Sequence, residues 1–218
     1  MRLTITRGVH AALTIATPST TLVIDPGYFG YPESVEWADA VLVTHDHFDH
    51  VDLPSLAASV RRHSQLKVFS PTPLELDAPD SEVTLVTQGD IFTVGDLPVQ
   101  TVGAEQAVAS LDDPPIANVG YLIAGTILHP GDAHQDLVGV DTLVTALAAP
   151  WQNNPQLEEH LRRVRPKRVM GMHDATLNDL GRDFAQKTLE KIAASYGGEA
   201  VALNVGESIT IERADGVG

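Results

Sequence analysis

Cysteine is absent from the 218 residues of this chain. Its absence excludes disulfides, thiol nucleophiles and thiolate metal ligands, which leaves histidine and the carboxylates for any metal site. Long apolar runs are also lacking, because no stretch approaches the ~18 to 20 consecutive apolar residues of a membrane helix. The first ten residues, MRLTITRGVH, contain no apolar core of a signal peptide. These absences predict a cytoplasmic protein with no membrane partner.

Lysine and arginine are missing from the whole segment between Lys67 and Arg162, where acidic residues recur, and the formal net charge of the chain is -15. A nucleic-acid partner would require a cationic surface that displaces counterions from phosphates, so the sequence predicts no such partner. The exception is the basic cluster RRVRPKR, residues 162–168. The favoured interpretation is the end of a helix, where cations meet the negative end of the helix dipole and Pro166 stops the helix. The alternative is an anion-binding or partner site.

Alternating and continuous apolar patterns predict an α/β protein. Strands are predicted at RLTIT, HAALTIA, TLVID, AVLVT, KVFS, EVTLV, IFTV and PVQTVG, and a hairpin is predicted over VGYLIAGTILH. One helix is predicted after residue 52, and the second half alternates strand, helix and strand. A long helix over residues 177–196 should bury a stripe formed by Leu177, Leu180, Phe184, Thr188 and Ile192. No linker or repeat interrupts the chain, so residues 1–218 should form one domain with two packed sheets between outer helices, a four-layer αββα sandwich.

The stretch VLVTHDHFDHVDL, residues 41–53, concentrates metal-binding side chains directly after a predicted buried strand. Its potential ligands are His45, His47, Asp49 and His50. Imidazole and carboxylate groups donate lone pairs to divalent ions, and residues two apart in a loop can face one ion. His45 and His47 therefore suit one metal, and Asp49 and His50 suit a second. The alternative, a solvated polar loop, does not account for four such residues in six positions.

The pattern H-x-H-x-D-H after a strand resembles the hallmark of the metallo-β-lactamase fold hydrolases. Weaker motifs follow in the order expected for that family: HA at His10, DPG at Asp25, NVGYLI at Asn118, HPGD at residues 129–132, APW at residues 149–151 and MHD at residues 172–174. Together they look most like the small single-domain hydrolases similar to L-ascorbate-6-phosphate lactonase. The resemblance implies the αββα fold over nearly the whole chain.

For the second metal, the resemblance implies an intact set of ligands. Asp49 and His50 belong to residues 45–50, here called the histidine loop, and would bind this metal together with His173. Asp132 would bridge the two metals, and Asp25 would support the histidine loop without touching either ion.

For the first metal, the resemblance implies one altered ligand. His45 and His47 match the family pattern, but Gln106 stands where a third histidine is expected. A neutral amide oxygen is a weaker donor than imidazole, so this site should bind its metal less tightly or not at all. Glu105 could substitute if the loop shifts by one residue. His129 and His134 flank Asp132, and for both of them packing or surface roles are favoured over metal binding.

The leading functional prediction is a metal-dependent hydrolase that uses one or two Zn²⁺ ions, with Mn²⁺ as an alternative, on a small-molecule substrate. Such an ion lowers the pKa of water from ~15.7 toward ~7, and Asp49 would orient the attacking water. The resemblance leaves a lactone, another ester, an amide or a phosphodiester open as substrate. Trp151 could line the pocket or pack in the core. The rival is a degenerate family member that binds or regulates without catalysis, and an iron-dependent oxygenase of the same fold is a third, weaker alternative.

Overall fold

The computed structural model describes residues 1–78, 82–114 and 116–213, and fourteen strands are found among them. They are β1 (Arg2–Arg7), β2 (Leu13–Ala16), β3 (Thr21–Ile24), β4 (Ala40–Leu42), β5 (Lys67–Ser70), β6 (Val83–Leu85), β7 (Ile91–Val94), β8 (Leu97–Val102), β9 (Gly120–Ile123), β10 (Ile127–His129), β11 (Thr142–Ala146), β12 (Arg168–Met172), β13 (Glu199–Val201) and β14 (Ser208–Glu212). One sheet has the order β14-β1-β2-β3-β4-β5-β6, and the other has the order β13-β12-β11-β10-β9-β8-β7.

The helices lie outside the two sheets, as the four-layer prediction requires. The main core forms where the sheets face each other, and it includes Leu3 and Ile24 from the first sheet and Tyr121 and Met170 from the second. Helix α1 (Leu53–Arg62) and a short 3-10 helix (Glu33–Trp37) cover the first sheet, whose outer face forms a separate apolar cluster. Helices α2 (Asn154–Val164) and α3 (Asp179–Tyr196) cover the second sheet in the same way. The αββα sandwich predicted from the sequence is confirmed.

The predicted hairpin has its turn where the sequence indicated. Strands β9 and β10 pair antiparallel, and Ala124 and Gly125 between them have φ angles of 52° and 63°. Two successive left-handed residues form the type of turn whose twist matches that of the flanking strands.

The apolar stripe predicted for the last helix is wrong except at Ile192, which is buried. Leu180 and Phe184 have 76% and 67% of their surface exposed, and the helix begins at Asp179 rather than at residue 177. The buried positions are Leu189, Ile192 and Ala193, which pack with α2 and β12 in the cluster outside the second sheet. These three residues have i, i+3, i+4 spacing, which places them on one face of the helix, just as the spacing of the predicted stripe would. The small size of Ala193 hid that face in the sequence.

Parallel strands place the predicted site residues along one edge of the sandwich. Strands β3, β4 and β5 are parallel in the first sheet, and β10, β11, β12 and β13 are parallel in the second. The carboxyl ends of parallel strands share one edge, where open α/β sheets bind ligands. Asp25 follows β3, the histidine loop follows β4, Asp132 follows β10 and His173 follows β12. Among the described residues, no helix has both the length and the apolar composition that crossing a membrane requires.

Candidate metal centre

Asp25 anchors the histidine loop from below. Its carboxylate is fully buried and accepts hydrogen bonds from the Thr44 backbone amide at 2.8 Å and the Thr44 hydroxyl at 2.7 Å. His50 donates Nδ1–H to the same carboxylate at 2.7 Å. Burial would raise the pKa of Asp25, but the neighbouring His50 outweighs burial and lowers it. Since the carboxylate can only accept, His50 carries a proton on Nδ1 and directs Nε2 to the opposite side.

A glycine permits the close approach of the Asp25 turn to the histidine loop. A Cβ atom on Gly27 would lie 1.9 Å from the carbonyl oxygen of Asp49. The next residue, Tyr28, donates its backbone amide to the carbonyl of Phe48 at 2.9 Å. Any other residue at position 27 would push the two loops apart, so this glycine helps to set the position of Asp49.

A hydrogen bond through Nδ1 fixes the ring of His173 and leaves the lone pair of Nε2 available. His173 donates Nδ1–H to the carbonyl of Ala148 at 2.7 Å, because a carbonyl oxygen can only accept. Its Nε2 lies 3.5 Å from Asp132 Oδ1 and 3.4 Å from Asp49 Oδ2. The backbone of His173 is left-handed, with φ of 57°. His10 and Asp25 share this uncommon conformation, and such strain concentrates at functional sites.

Three buried polar atoms converge without a hydrogen-bond partner among the described residues: His50 Nε2, His173 Nε2 and Asp132 Oδ1. His50 Nε2 lies 3.3 Å from Asp132 Oδ1. Buried polar groups are rarely left unpaired, since each costs the full penalty of desolvation. Two imidazole lone pairs and a carboxylate oxygen that face one point match the donors that bind Zn²⁺ in proteins. The residues present therefore fit a divalent ion at this position.

The acidic side chains of the centre are ionised. Burial would raise the pKa of Asp49, but the hydrogen bond from His10 and the nearby imidazoles of His173 and His50 lower it far below its usual range. Burial would also raise the pKa of Asp132, but the neighbouring His50 outweighs burial and holds this pKa well below its usual range. Burial lowers the pKa of His45 to about 3, with a further contribution from His50. The carboxylates are therefore charged and His45 is neutral, as metal binding requires. Burial would lower the pKa of His50, but Asp25 and Asp132 outweigh burial and raise it, so a bound ion would have to displace the proton on its Nε2.

The structure divides the predicted ligands into two overlapping groups. In one, atoms of His10, Asp49, His50 and His173 lie within 4.8 Å of one another. In the other, atoms of His45, His50 and Asp132 lie within the same distance.

His47 and Gln106 belong to neither group but lie beside each other. His47 Nδ1 is 3.2 Å from His45 Nε2 and 3.4 Å from Gln106 Nε2. Among the described residues, Gln106 Oε1 is buried without a hydrogen-bond partner. Gln106 therefore lies beside His47, whereas Glu105 is exposed.

Asp132 is positioned by two residues from distant parts of the chain. Its backbone amide donates to the side-chain oxygen of Asn118 at 3.0 Å. Its Oδ2 accepts a hydrogen bond from the indole N–H of Trp151 at 3.0 Å, while Oδ1 faces His50 and His173. Trp151 also lines the cavity beside the centre, so this side chain both donates to Asp132 and contributes to the cavity wall. The two carboxylate oxygens of Asp132 therefore have different surroundings.

His10 lies in the HA motif noted in the sequence, but no role in the site was predicted for it. The backbone amide of Ala175 donates to His10 Nδ1 at 3.2 Å, which leaves the proton of a neutral ring on Nε2. That Nε2 lies 3.1 Å from Asp49 Oδ2 and donates to it. Burial is the main reason that the pKa of His10 is lowered. With its Nε2 protonated, His10 orients Asp49 and offers no lone pair to an ion.

His129 and His134 have the packing roles favoured from the sequence. His129 is buried and bonds through Nε2 to the carbonyl of Ala11 at 2.9 Å. His134 bonds to Gln152 at 2.7 Å and stacks on His160 with ring centroids 4.4 Å apart.

The basic cluster ends helix α2, as the favoured interpretation predicted. The helix stops at Val164, and Arg165 caps it in a left-handed conformation. Its cations are used in ion pairs and caps: Arg162 with Glu158, Arg163 with Asp136, Lys167 and Arg168 with Asp141, and Arg165 with the carbonyl of Tyr196. The cluster is therefore a structural feature of the helix end.

A cavity of about 290 Å³ opens onto the centre. Asp49, Asp132 and His173 form its floor, and residues 106–109 and Trp151 contribute to its walls. Cavities of this size accept small molecules.

Comparison with known proteins agrees with this geometry. Residues 4–173 match the family model described as a beta-lactamase superfamily domain. Protein Rv0786c of Mycobacterium tuberculosis is 31% identical over 175 residues, which cover 76% of this chain and 81% of that protein. A metal-dependent hydrolase of Anaeromyxobacter sp. strain K is 28% identical, with 88% of this chain and 80% of that protein covered. A probable L-ascorbate-6-phosphate lactonase of Escherichia fergusonii is 29% identical over 53% of this chain and 37% of its own length.

Among solved structures, Igni18, a metallo hydrolase of Ignicoccus hospitalis, superposes with a TM-score of 0.72. The alignment covers 98% of this chain and all of that one at 17% identity, which supports the fold alone. The family match spans the histidine loop, residues 129–132, His173 and every strand of the second sheet except β13. The chain therefore belongs to the beta-lactamase superfamily.

Proposed function

We propose that this chain is a metal-dependent hydrolase that binds one divalent ion tightly. The ion would be held by His50 Nε2, His173 Nε2, Asp132 Oδ1 and Asp49. The observation that carries the proposal is the convergence of three buried, unpartnered donor atoms at one point. Two imidazoles and two carboxylates suit Zn²⁺, and Mn²⁺ accepts the same ligands. Relatives that are named metal-dependent hydrolases support the assignment.

The residues around the ion have separable tasks in hydrolysis. When bound, the ion would make water acidic enough to attack at neutral pH and would polarise the substrate. Asp49 lines the cavity and would orient the attacking water. His10 would hold Asp49, Asp25 would keep the proton of His50 on Nδ1, and Trp151 would hold the outer oxygen of Asp132.

The corner formed by His45, His47 and Gln106 would bind a second ion weakly. Gln106 offers only a neutral amide oxygen, and this oxygen has no partner in the structure. His45 and His47 would supply imidazole nitrogens on the other two sides. A degenerate, non-catalytic binding protein is the second candidate, because Gln106 is the change that loss of catalysis would leave. The unpaired donors of the other site count against it.

Metal stoichiometry tests this proposal. Protein purified without a chelator or a histidine tag should contain about one divalent ion per chain by elemental analysis. The variant Gln106→His should bind about two, since it supplies the missing imidazole. Asn153→His, a change at the exposed cap of α2, is the matched control and should leave the stoichiometry at one. Protein that binds no metal after reconstitution would favour the non-catalytic candidate.

The role of His10 can be tested separately. His10→Ala should lower kcat by about 10- to 100-fold while the metal content stays unchanged, because the hydrogen bond that orients Asp49 is lost. Glutamine can accept from Ala175 and donate to Asp49 as the histidine does, so His10→Gln should recover part of the activity. Kinetics and elemental analysis on both variants provide the measurement. Loss of metal from His10→Ala would instead make His10 a ligand.

A further inference from the structure

The cavity beside the metal centre has apolar walls. Residues 107–109, Pro114 and Ile116 form one side, and Pro150 and Trp151 contribute to the other. These side chains offer a substrate few hydrogen bonds apart from those to the centre itself. Burial of apolar substrate surface against them would be the main source of binding free energy.

The charged side chains that line this cavity are all acidic: Asp49, Asp113 and Asp132. Lysine and arginine do not line it in the described part of the chain. The sequence explains this, because the wall-forming residues fall within the segment between Lys67 and Arg162 that contains neither residue type. Apart from metal ions, sites for phosphate or carboxylate groups depend mainly on arginine, lysine or helix N-termini.

The helix N-termini near the centre are already capped. Helix α1 begins after the histidine loop, and Asp52 accepts a hydrogen bond from the Ser55 amide at 3.2 Å. Helix α2 begins after Trp151, and Asn153 accepts from the Gln156 amide at 3.0 Å. These side chains take donors that an anion would otherwise use, and Asp52 adds a negative charge.

The charge balance of the centre leaves little attraction for an anion. The two positive charges of one divalent ion would be matched by Asp49 and Asp132. Asp25 lies buried behind His50, and Asp113 lies on the cavity wall. An anionic substrate would meet this acidic surrounding with no compensating cation.

We propose that the substrate is an uncharged ester, lactone or amide that places an apolar group in this cavity, and that phosphate-bearing substrates are disfavoured. This inference rests on the proposed hydrolase function and narrows its substrate class. It separates the chain from the relative whose printed name specifies a phosphorylated lactone.

Binding of two matched, slowly hydrolysed amides tests the inference apart from turnover. N-(para-nitrophenyl)butyramide and N-(para-nitrophenyl)succinamic acid share a nitrophenyl group and chain length but differ by one carboxylate. Quenching of Trp151 fluorescence in the metal-loaded protein should show the neutral amide binding about tenfold more tightly. Trp151→Phe identifies the signal, since Trp37 is the other tryptophan. Equal or tighter binding of the succinamic acid would overturn the inference.

A variant supplies the positive charge that the wall lacks. Val108 lines the cavity and is 49% exposed, so Val108→Arg should fold and strengthen binding of the anionic amide. Leu111→Arg is the control, because Leu111 is fully exposed and does not line the cavity. An unchanged preference in Val108→Arg would count against the electrostatic argument. Turnover of para-nitrophenyl butyrate tests the hydrolase function separately: no turnover, with the binding preference intact, would refute the function alone.

Discussion

His173→Asn should release the metal and reduce ester hydrolysis to the rate of the metal-free protein. His173 supplies one of two imidazole lone pairs that face Asp132 Oδ1, and no nearby described side chain supplies a replacement at that position. Asparagine suits this test because it tolerates the left-handed backbone that His173 adopts, so the fold should survive. Gln106→Ala should have a much smaller effect, since Gln106 belongs to the weaker corner.

A comparison of His173→Asn with Gln106→Ala shows which of the two sites holds the essential ion. Elemental analysis, turnover of para-nitrophenyl butyrate and far-ultraviolet circular dichroism should be measured on both. Full metal content with unchanged turnover in His173→Asn would remove this residue from the centre. A greater loss in Gln106→Ala than in His173→Asn would mean that the His45 and His47 corner holds the essential ion.

Asp25→Asn should lower metal affinity by about 10- to 100-fold or more, although Asp25 does not face the ion. The asparagine oxygen can still accept from the Thr44 amide, but its NH₂ group would face His50 Nδ1. The His50 proton would then move to Nε2 and block the lone pair that the ion requires. Asp25→Ala should in addition lose about 3–5 kcal/mol of stability, because a buried His50 would lose its charged partner.

The pH dependence of stability gives an independent measure of this pair. Burial lowers the pKa of His50, but Asp25 and Asp132 outweigh burial and raise it to about 10. A raised histidine pKa contributes stability that is complete below the unfolded value of ~6.5 and is lost as pH rises through the folded value. The free energy of unfolding of the chelator-treated protein should therefore fall from about pH 6.5 to 10, and less steeply in Asp25→Asn.

A carboxylate outside the centre provides the control for Asp25. Asp39 is exposed and accepts a hydrogen bond from the Thr21 amide at 2.8 Å. Asp39→Asn should change neither metal affinity nor the alkaline loss of stability. If Asp25→Asn behaves like Asp39→Asn in urea unfolding and metal titration, Asp25 does not set the proton position of His50.

The sequence predicted the sandwich and the strands well because alternating and continuous apolar patterns report burial directly. It failed at α3, where the buried face includes the small Ala193 and the exposed face carries Leu180 and Phe184. A hydrophobic pattern ranks residues by size and polarity, so it favoured the larger side chains. In the fold, α2 packs against this helix and buries Leu189, Ile192 and Ala193 instead.

In the candidate centre, the sequence indicated the residues of the histidine loop because they lie within six positions. His10 and Asn118 appeared only in weak motifs with no predicted role, since each is a single polar residue whose partner lies 39 or 14 positions away. The hydrogen bond from Ala175 that fixes the His10 proton spans 165 positions. Only the folded chain shows that these residues meet. Whether Gln106 binds an ion also stays a prediction.

The pairing of β1 with β14 sets the order in which the protein can be completed. Leu3 pairs with Ile211, and the backbone carbonyl of His10 accepts a hydrogen bond from the His173 amide. The first strand can therefore be completed only after β14 has been synthesised. Contacts of such long sequence separation slow folding and keep strand edges exposed during synthesis. On the ribosome, the first strand would remain without one neighbour until β14 has been synthesised. The candidate centre would likewise stay incomplete until His173 has been synthesised and has paired with His10.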